Sequence, residues 1–355
     1  MSIDLDMLRM LTQTPGIASR EDRVREVVMT YLEPIVDSLT VDALGNLIGY
    51  RKGSGGPRIA IAAHVDEIGF LVRHVDDNGF VRVQKVGGFD PRVLVAQRVN
   101  VRSRNGDVLP GVLQPATKPI HLQTPGEIKE LKLEDLFIDL GLQAESVKDR
   151  VHIGDMVTLD RDLAAIGDTI VSKALDDRLG VYVMIEALRK ATASTAEIFA
   201  IATTQEEIGL RGAHASAYSV EANIAIALDV TIAADIPGGA PEAQVTKLGA
   251  GTAIKILDSS QIANPKIVDH LRELAEELNI PHQFEILPLG GTDAGAFQTS
   301  RGGAATATIS IPTRYVHTVN EMAHVDDIEA SIDLLAAFLN AAGSRSYGYG
   351  NPGQV

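Results

Sequence analysis

Imidazoles and carboxylates recur along this chain at points where strands are expected to end: His64-Val65-Asp66, Asp176-Asp177, Glu206-Glu207, Asp229 and, after a further strand, His317. Open α/β sheets take their ligands in the crevice beyond the carboxyl ends of the strands, so these segments can converge on one pocket. Two imidazoles with several carboxylates make a hard to borderline donor set, suited to Zn, Co or Mn. The sequence has no cysteine, which removes disulfides, thiolate zinc sites and cysteine nucleophiles from consideration.

Each segment alone also has a bland explanation. His64 could be a core imidazole beside a surface Asp66, Asp176-Asp177 could cap a helix, and Asp229 could end a turn. In a chemical role, the period of two along a strand puts His64 and Asp66 on one side, so the Asp66 carboxylate is expected to accept the second ring proton of His64. Neighbours in an extended chain point in opposite directions. One of Glu206 and Glu207 can therefore bind a metal while the other stays free as a general base.

Positioning these groups is the task of the surrounding elements. Ser19, Glu21 and Asp22 precede apolar residues at helical spacing, Val24, Val27, Val28, Tyr31 and Leu32, which predicts a capped amphipathic helix. Leu39 to Val41 and Leu47 to Tyr50 read as short strands about a turn, and Arg58 to Ala63 as a buried strand delivering His64. From residue 69 to 164 the texture is β-rich, with short alternating segments punctuated by Gly, Asp and Asn. Beyond it, strand and helix alternate: a helix over 177–189, a strand over 197–204, a helix over 212–218, a strand over 222–230. That alternation predicts a sheet with helices on both faces. The expected organisation is one discontinuous α/β domain, 1–68 plus 165–345, interrupted by a β-rich insert over 69–164 and followed by a flexible tail over 346–355.

Composition narrows the function classes. At 355 residues the chain exceeds a prior of roughly 150 residues per domain. Its net charge of -15, from 47 acids against 32 bases, argues against nucleic acid or an anionic membrane surface as partner. The N-terminal stretch lacks the basic start and apolar core of a signal peptide, and no apolar run reaches the roughly 18 residues of a membrane span, so a cytoplasmic location is expected.

Taken together, several strings resemble the M42 family of metallo-aminopeptidases: Ala63-His64-Val65-Asp66-Glu67-Ile68-Gly69-Phe70, Lys173-Ala174-Leu175-Asp176-Asp177-Arg178-Leu179-Gly180, Thr204-Gln205-Glu206-Glu207-Ile208-Gly209, Gly290-Gly291-Thr292-Asp293-Ala294-Gly295 and Arg314-Tyr315-Val316-His317. They span nearly the whole chain. The resemblance implies a three-layer α/β/α sandwich of the zinc-peptidase kind, with the insert as a barrel-like or PDZ-like dimerisation domain. It implies two divalent ions per subunit, Zn or Co with Mn as an option: His64 and Asp229 at one, Glu207 and His317 at the other, and Asp176 bridging them. Hydroxide activated by Glu206 would hydrolyse the first peptide bond of short peptides, with Asp66 orienting His64. Gly291, Thr292 and Asp293 would line the substrate cleft, and His121 would approach a neighbouring subunit's site. Dimers would assemble into a tetrahedral dodecamer. The competing readings are a metal-independent, endoglucanase-like glycosidase and an inactive metal-binding scaffold.

Overall fold

The computed structural model describes residues 3–118, 120–122, 130–238 and 240–349. One large mixed sheet runs in the order Ser38–Val41, Leu47–Arg51, Glu197–Thr203, Arg58–His64, Ile224–Ile232, Ala305–Arg314, Glu321–His324, Thr169–Ser172, Ala164–Ile166. Thr252–Leu257 joins it beside Ala305–Arg314 and carries His282–Ile286 on its outer edge. At its centre the strands ending in Thr203, His64, Ile232 and Arg314 are mutually parallel. Their carboxyl ends therefore open on one side of the sheet, where the fold can hold a ligand.

The central strands read as continuous apolar runs because both of their faces are covered. Along Arg58–His64, Ile59, Ile61 and Ala63 face one apolar cluster, whereas Ala60 and Ala62 face another. Leu175–Lys190 and Val325–Ala341 supply side chains to the first, Arg211–Val220 and Asp293–Thr299 to the second. The expected alternation of strand and helix after residue 165 is thus present, with ends shifted by a few residues.

The β-rich stretch closes into a barrel, in the order Gly69–Val75, Val81–Val86, Leu136–Asp139, Val108–Pro115, Arg98–Arg102, Met156–Leu159. Its interior has its own apolar core, including Phe70, Val72, Val99, Val101, Leu113, Ile138 and Val157. The barrel ends at Leu159. Ala164, placed by the sequence at the end of the insert, already pairs with Val171 in the large sheet.

Other expectations need correction. The helix Asp22–Leu32 forms, but its first turn has no side-chain cap. Glu21 is buried and spends its carboxylate on the amides of Ser19 and Gln205, at 2.9 and 3.1 Å. A helix unremarked in the sequence, Leu5–Gln13, is capped by Asp4 and buries Met7, Leu8 and Leu11. It is held by Arg178, a fully buried guanidinium that donates to the carbonyls of Leu11, Thr14 and Gly16. Of the tail expected to be flexible, 350–355 lie outside the described residues, but Tyr347 is buried, its hydroxyl 2.6 Å from His270 Nδ1. Among the described residues no helix is long and apolar enough to cross a membrane.

Candidate active site

His64 is the last residue of its strand, with a 2% exposed side chain that leaves little freedom in where the ring points. Its Nδ1 donates to the Asp66 backbone carbonyl at 3.0 Å, while the Asp66 carboxylate stands 3.6 Å away. The ring proton is therefore taken by the carbonyl and not, as expected, by the Asp66 side chain. That side chain does something else: Oδ1 and Oδ2 accept the amides of Glu206 and Glu207 at 2.9 and 3.1 Å. A fully buried carboxylate thus holds the short turn on which both glutamates sit.

That turn is also not the extended chain expected from the sequence. Gln205 takes a left-handed conformation, and Glu206–Ile208 is a single 3₁₀ turn. Both glutamates consequently face one cleft but reach different imidazoles: Glu206 Oε2 lies 3.9 Å from His64 Nε2, and Glu207 Oε1 lies 3.4 Å from His317 Nε2. Their separate roles arise from this turn rather than from strand alternation.

Asp176 lies between the two rings. Its Oδ1 is 3.1 Å from His64 Nε2, and its Oδ2 is 3.2 Å from His317 Nε2. Asp229 ends up beside them through the parallel pairing of its strand with that of His64. Ligand-capable atoms of His64, Asp176 and Glu207 lie within 4.8 Å of one another, and so do those of His64, Asp177 and Asp229. Asp177 accepts the amide of Gly180 at 3.0 Å and also approaches Asp229. The structure therefore brings together His64, Asp176, Glu206, Glu207, Asp229 and His317, all lining a cleft of about 390 Å³.

Electrostatics in this cleft are severe. Burial raises the carboxyls of Glu206 and Asp229 well above their usual range, and Asp229 and Asp176 respectively add repulsion. Burial opposes ionisation of Asp176 too, but hydrogen bonds from His317 and His64 outweigh it and hold its carboxyl low. Burial would lower His317, yet Asp176 and Glu207 push it up to about 12. Such concentrated negative charge is tolerated when protons or metal ions neutralise it.

The donor geometry fits divalent ions. Because His64 Nδ1–H is committed to a carbonyl, its neutral ring would turn the Nε2 lone pair toward a carboxylate oxygen at 3.1 Å. Two acceptors that close need a cation or proton between them. Among the described residues Glu207 Oε1 is a buried oxygen without a hydrogen-bond partner, which suits it to serve as a metal ligand. The fixed His64 tautomer is itself a feature of metal-binding imidazoles.

Glu321 was missed by sequence reasoning. This buried strand residue accepts the amide of Asp176 at 3.0 Å and that of His317 at 2.8 Å, so one carboxylate positions two residues of the cluster. Burial, with Asp176 nearby, raises it to about 8. A lone acid four residues after a histidine carries no spacing signature, so no local signal pointed to it. Substrate-side expectations divide. Gly291 and Thr292 line the cleft, but Asp293 does not; it is buried beneath, accepting a hydrogen bond from Thr203. Its helix begins there, which turns the side chain inward. His121 is exposed in a short turn and is absent from its own chain's cleft.

Because Asp66 acts through the 206–207 turn, Asp66→Asn, whose amide cannot accept from both backbone donors, should lower kcat about 10–100-fold. The circular dichroism spectrum should stay native. Unchanged kcat would show that the turn holds without it.

A mixed α/β sheet whose parallel central strands gather imidazoles and carboxylates around one cleft at their carboxyl ends is an arrangement suited to a hydrolase. The chain belongs to the M42 glutamyl aminopeptidase family, whose pattern matches residues 45–334, and it is an aminopeptidase. It is 33% identical to the lysyl aminopeptidase of Pyrococcus furiosus, over 95% of this chain and 97% of that one. Its fold superposes with a TM-score of 0.90 on aminopeptidase APDkam598 from Desulfurococcus kamchatkensis, at 41% identity and 94% coverage of both chains. The TET1 peptidase of Pyrococcus horikoshii, which can assemble into a tetrahedron or a large octahedral shell, is 33% identical with a TM-score of 0.84, covering 94% of this chain and 98% of that one.

Proposed function

We propose that this aminopeptidase is a dimetal enzyme that removes the N-terminal residue of short peptides, with Glu206 as general base. The observation that carries this reading is Asp176, whose two oxygens face the two imidazoles inside the cleft that Glu206 also lines. His64 and Asp229 would hold one ion and Glu207 and His317 the other, with Asp176 shared. When bound, Zn, Co or Mn would supply Lewis acidity and make water easier to ionise near neutral pH.

The chain's own residues do the rest. Glu206, kept apart from Glu207 by the turn that Asp66 holds, takes a proton from the attacking water and returns it to the leaving amine. Glu321 fixes the backbone of Asp176 and His317, so the shared carboxylate and one imidazole keep their spacing. Gly291 and Thr292 lie on the cleft wall where substrate would pass.

The same reading takes the sheet and its two helical faces as a three-layer sandwich and the barrel as a dimerisation insert. Dimers would assemble into a dodecamer as a closed shell, with His121 approaching the cleft of a neighbouring subunit. Chelation provides the test of the catalytic part. EDTA should abolish hydrolysis of amino-acid p-nitroanilides, and Co or Zn should restore it. Activity indifferent to EDTA would contradict the dimetal reading.

A further inference from the structure

Away from the imidazoles and carboxylates, the cleft is walled by Val230, Ile232, Leu287, Leu289 and Val316. Among the described lining residues, Lys255 is the one charged side chain outside that cluster. A lysine in a substrate cleft suggests an acidic substrate, but this one is already engaged. It is 1% exposed, with Nζ 3.0 Å from Glu285 Oε1 and 3.6 Å from Asp258 Oδ2. Burial opposes its charge, yet Glu285, Asp229 and Asp258 outweigh burial and keep the ammonium protonated.

The partners are themselves fixed. Glu285 lies directly opposite Lys255 in the paired strands and also accepts the Thr231 hydroxyl at 2.6 Å. Asp258 accepts the amides of Ser260 and Gln261 and the Thr292 hydroxyl. Neither carboxylate lines the cleft. An acidic side chain entering here would have to compete with Glu285 for a cation that is already neutralised. A basic one would meet an ammonium with no carboxylate on the apolar wall to receive it. Among the described residues of this wall, neither would meet an unengaged opposite charge. An aliphatic side chain loses nothing and gains contact with five apolar residues, as small-molecule pockets commonly arrange.

We propose that the cleft selects an uncharged, aliphatic N-terminal residue, with Ile232 and Leu289 as specificity-determining wall residues. This rests on the aminopeptidase reading of the same cleft. It separates the chain from the acidic and basic preferences in the names of its family and of its Pyrococcus furiosus relative.

The test compares Leu, Met, Glu and Lys p-nitroanilides on cobalt-loaded protein. Leu and Met should exceed Glu and Lys about 10–100-fold in kcat/KM, the range expected from burying one aliphatic side chain. The ranking is also read without turnover, by calorimetric binding of free L-leucine, L-glutamate and L-lysine, with leucine tightest. Leucine binding without hydrolysis would sink the hydrolytic reading and keep the selectivity. Glutamate or lysine ranking first in both assays would overturn the inference. Ile232→Glu changes a side chain that is 44% exposed, so the core is spared; it should shift the Lys-to-Leu ratio toward Lys at least tenfold. An unchanged ratio would overturn the role given to this wall.

Discussion

Glu206→Gln is expected to lower kcat about 10²–10⁴-fold, the usual contribution of a positioned general base, while metal content and apparent Tm stay near wild type. The expectation follows from the geometry of the turn. Glu206 and Glu207 are held by their backbone amides on Asp66, so the substitution leaves the turn and the Glu207 carboxylate in place. Glutamine keeps the shape of the side chain but cannot accept and return the proton. A parallel assay of metal content separates loss of the base from loss of a ligand. Full turnover in a metal-replete variant would remove Glu206 from the mechanism.

The second large effect concerns the metal-free protein. Burial pushes the carboxyls of Asp293 and Asp327 up to about 6, Glu21 to about 7 and Glu321 to about 8. In the unfolded chain each would ionise near the ordinary value, so between pH 5.5 and 8 the folded state binds more protons than the unfolded state. Stability then falls as pH rises through the folded pKa values. His317, pushed up to about 12, acts in the same direction, because above the ordinary imidazole range only the folded form still holds its proton. Asp176 is held low, so its contribution changes only well below this window. A tenfold difference in proton affinity between the folded and unfolded chain is worth about 1.4 kcal/mol, and the combined effect of these groups is on the order of several kcal/mol. EDTA-treated protein should therefore have a clearly lower Tm at pH 8 than at pH 5.5. Added Zn or Co should raise Tm more at pH 8, because ligands must shed protons to bind metal. A metal-free Tm that climbs over this range would contradict the placement of these buried acids.

The legible parts of the chain were those whose information is local. The apolar runs before His64, Asp229 and His317 marked strands, and the parallel pairing of those strands carried residues at or near their carboxyl ends to one place. The donor residues of the cluster could be read for the same reason, since each lies at or near the end of a strand or opens a helix. What could not be read depended on backbone conformation or on contacts far along the chain. Asp66 accepts amides from residues 206 and 207, which no periodicity within its own strand reveals. The left-handed Gln205 undid the alternation expected of the two glutamates. Glu321 reaches Asp176 across 145 positions of sequence. Asp293 stands in a glycine-rich string expected to line the substrate cleft, but the helix starting there buries it against Thr203. Tyr347 sits among glycines and polar residues, and its burial depends on Phe338 in the preceding helix and on His270, far upstream.

A direct measurement is the metal stoichiometry of the dialysed protein, by calorimetric titration and elemental analysis, beside the Asp176→Asn variant. The account predicts about two divalent ions per chain in the wild type, and fewer than two, bound more weakly, once the shared carboxylate is lost. Two ions retained by the variant with unchanged affinity, or a fully active wild type that binds none, would contradict it.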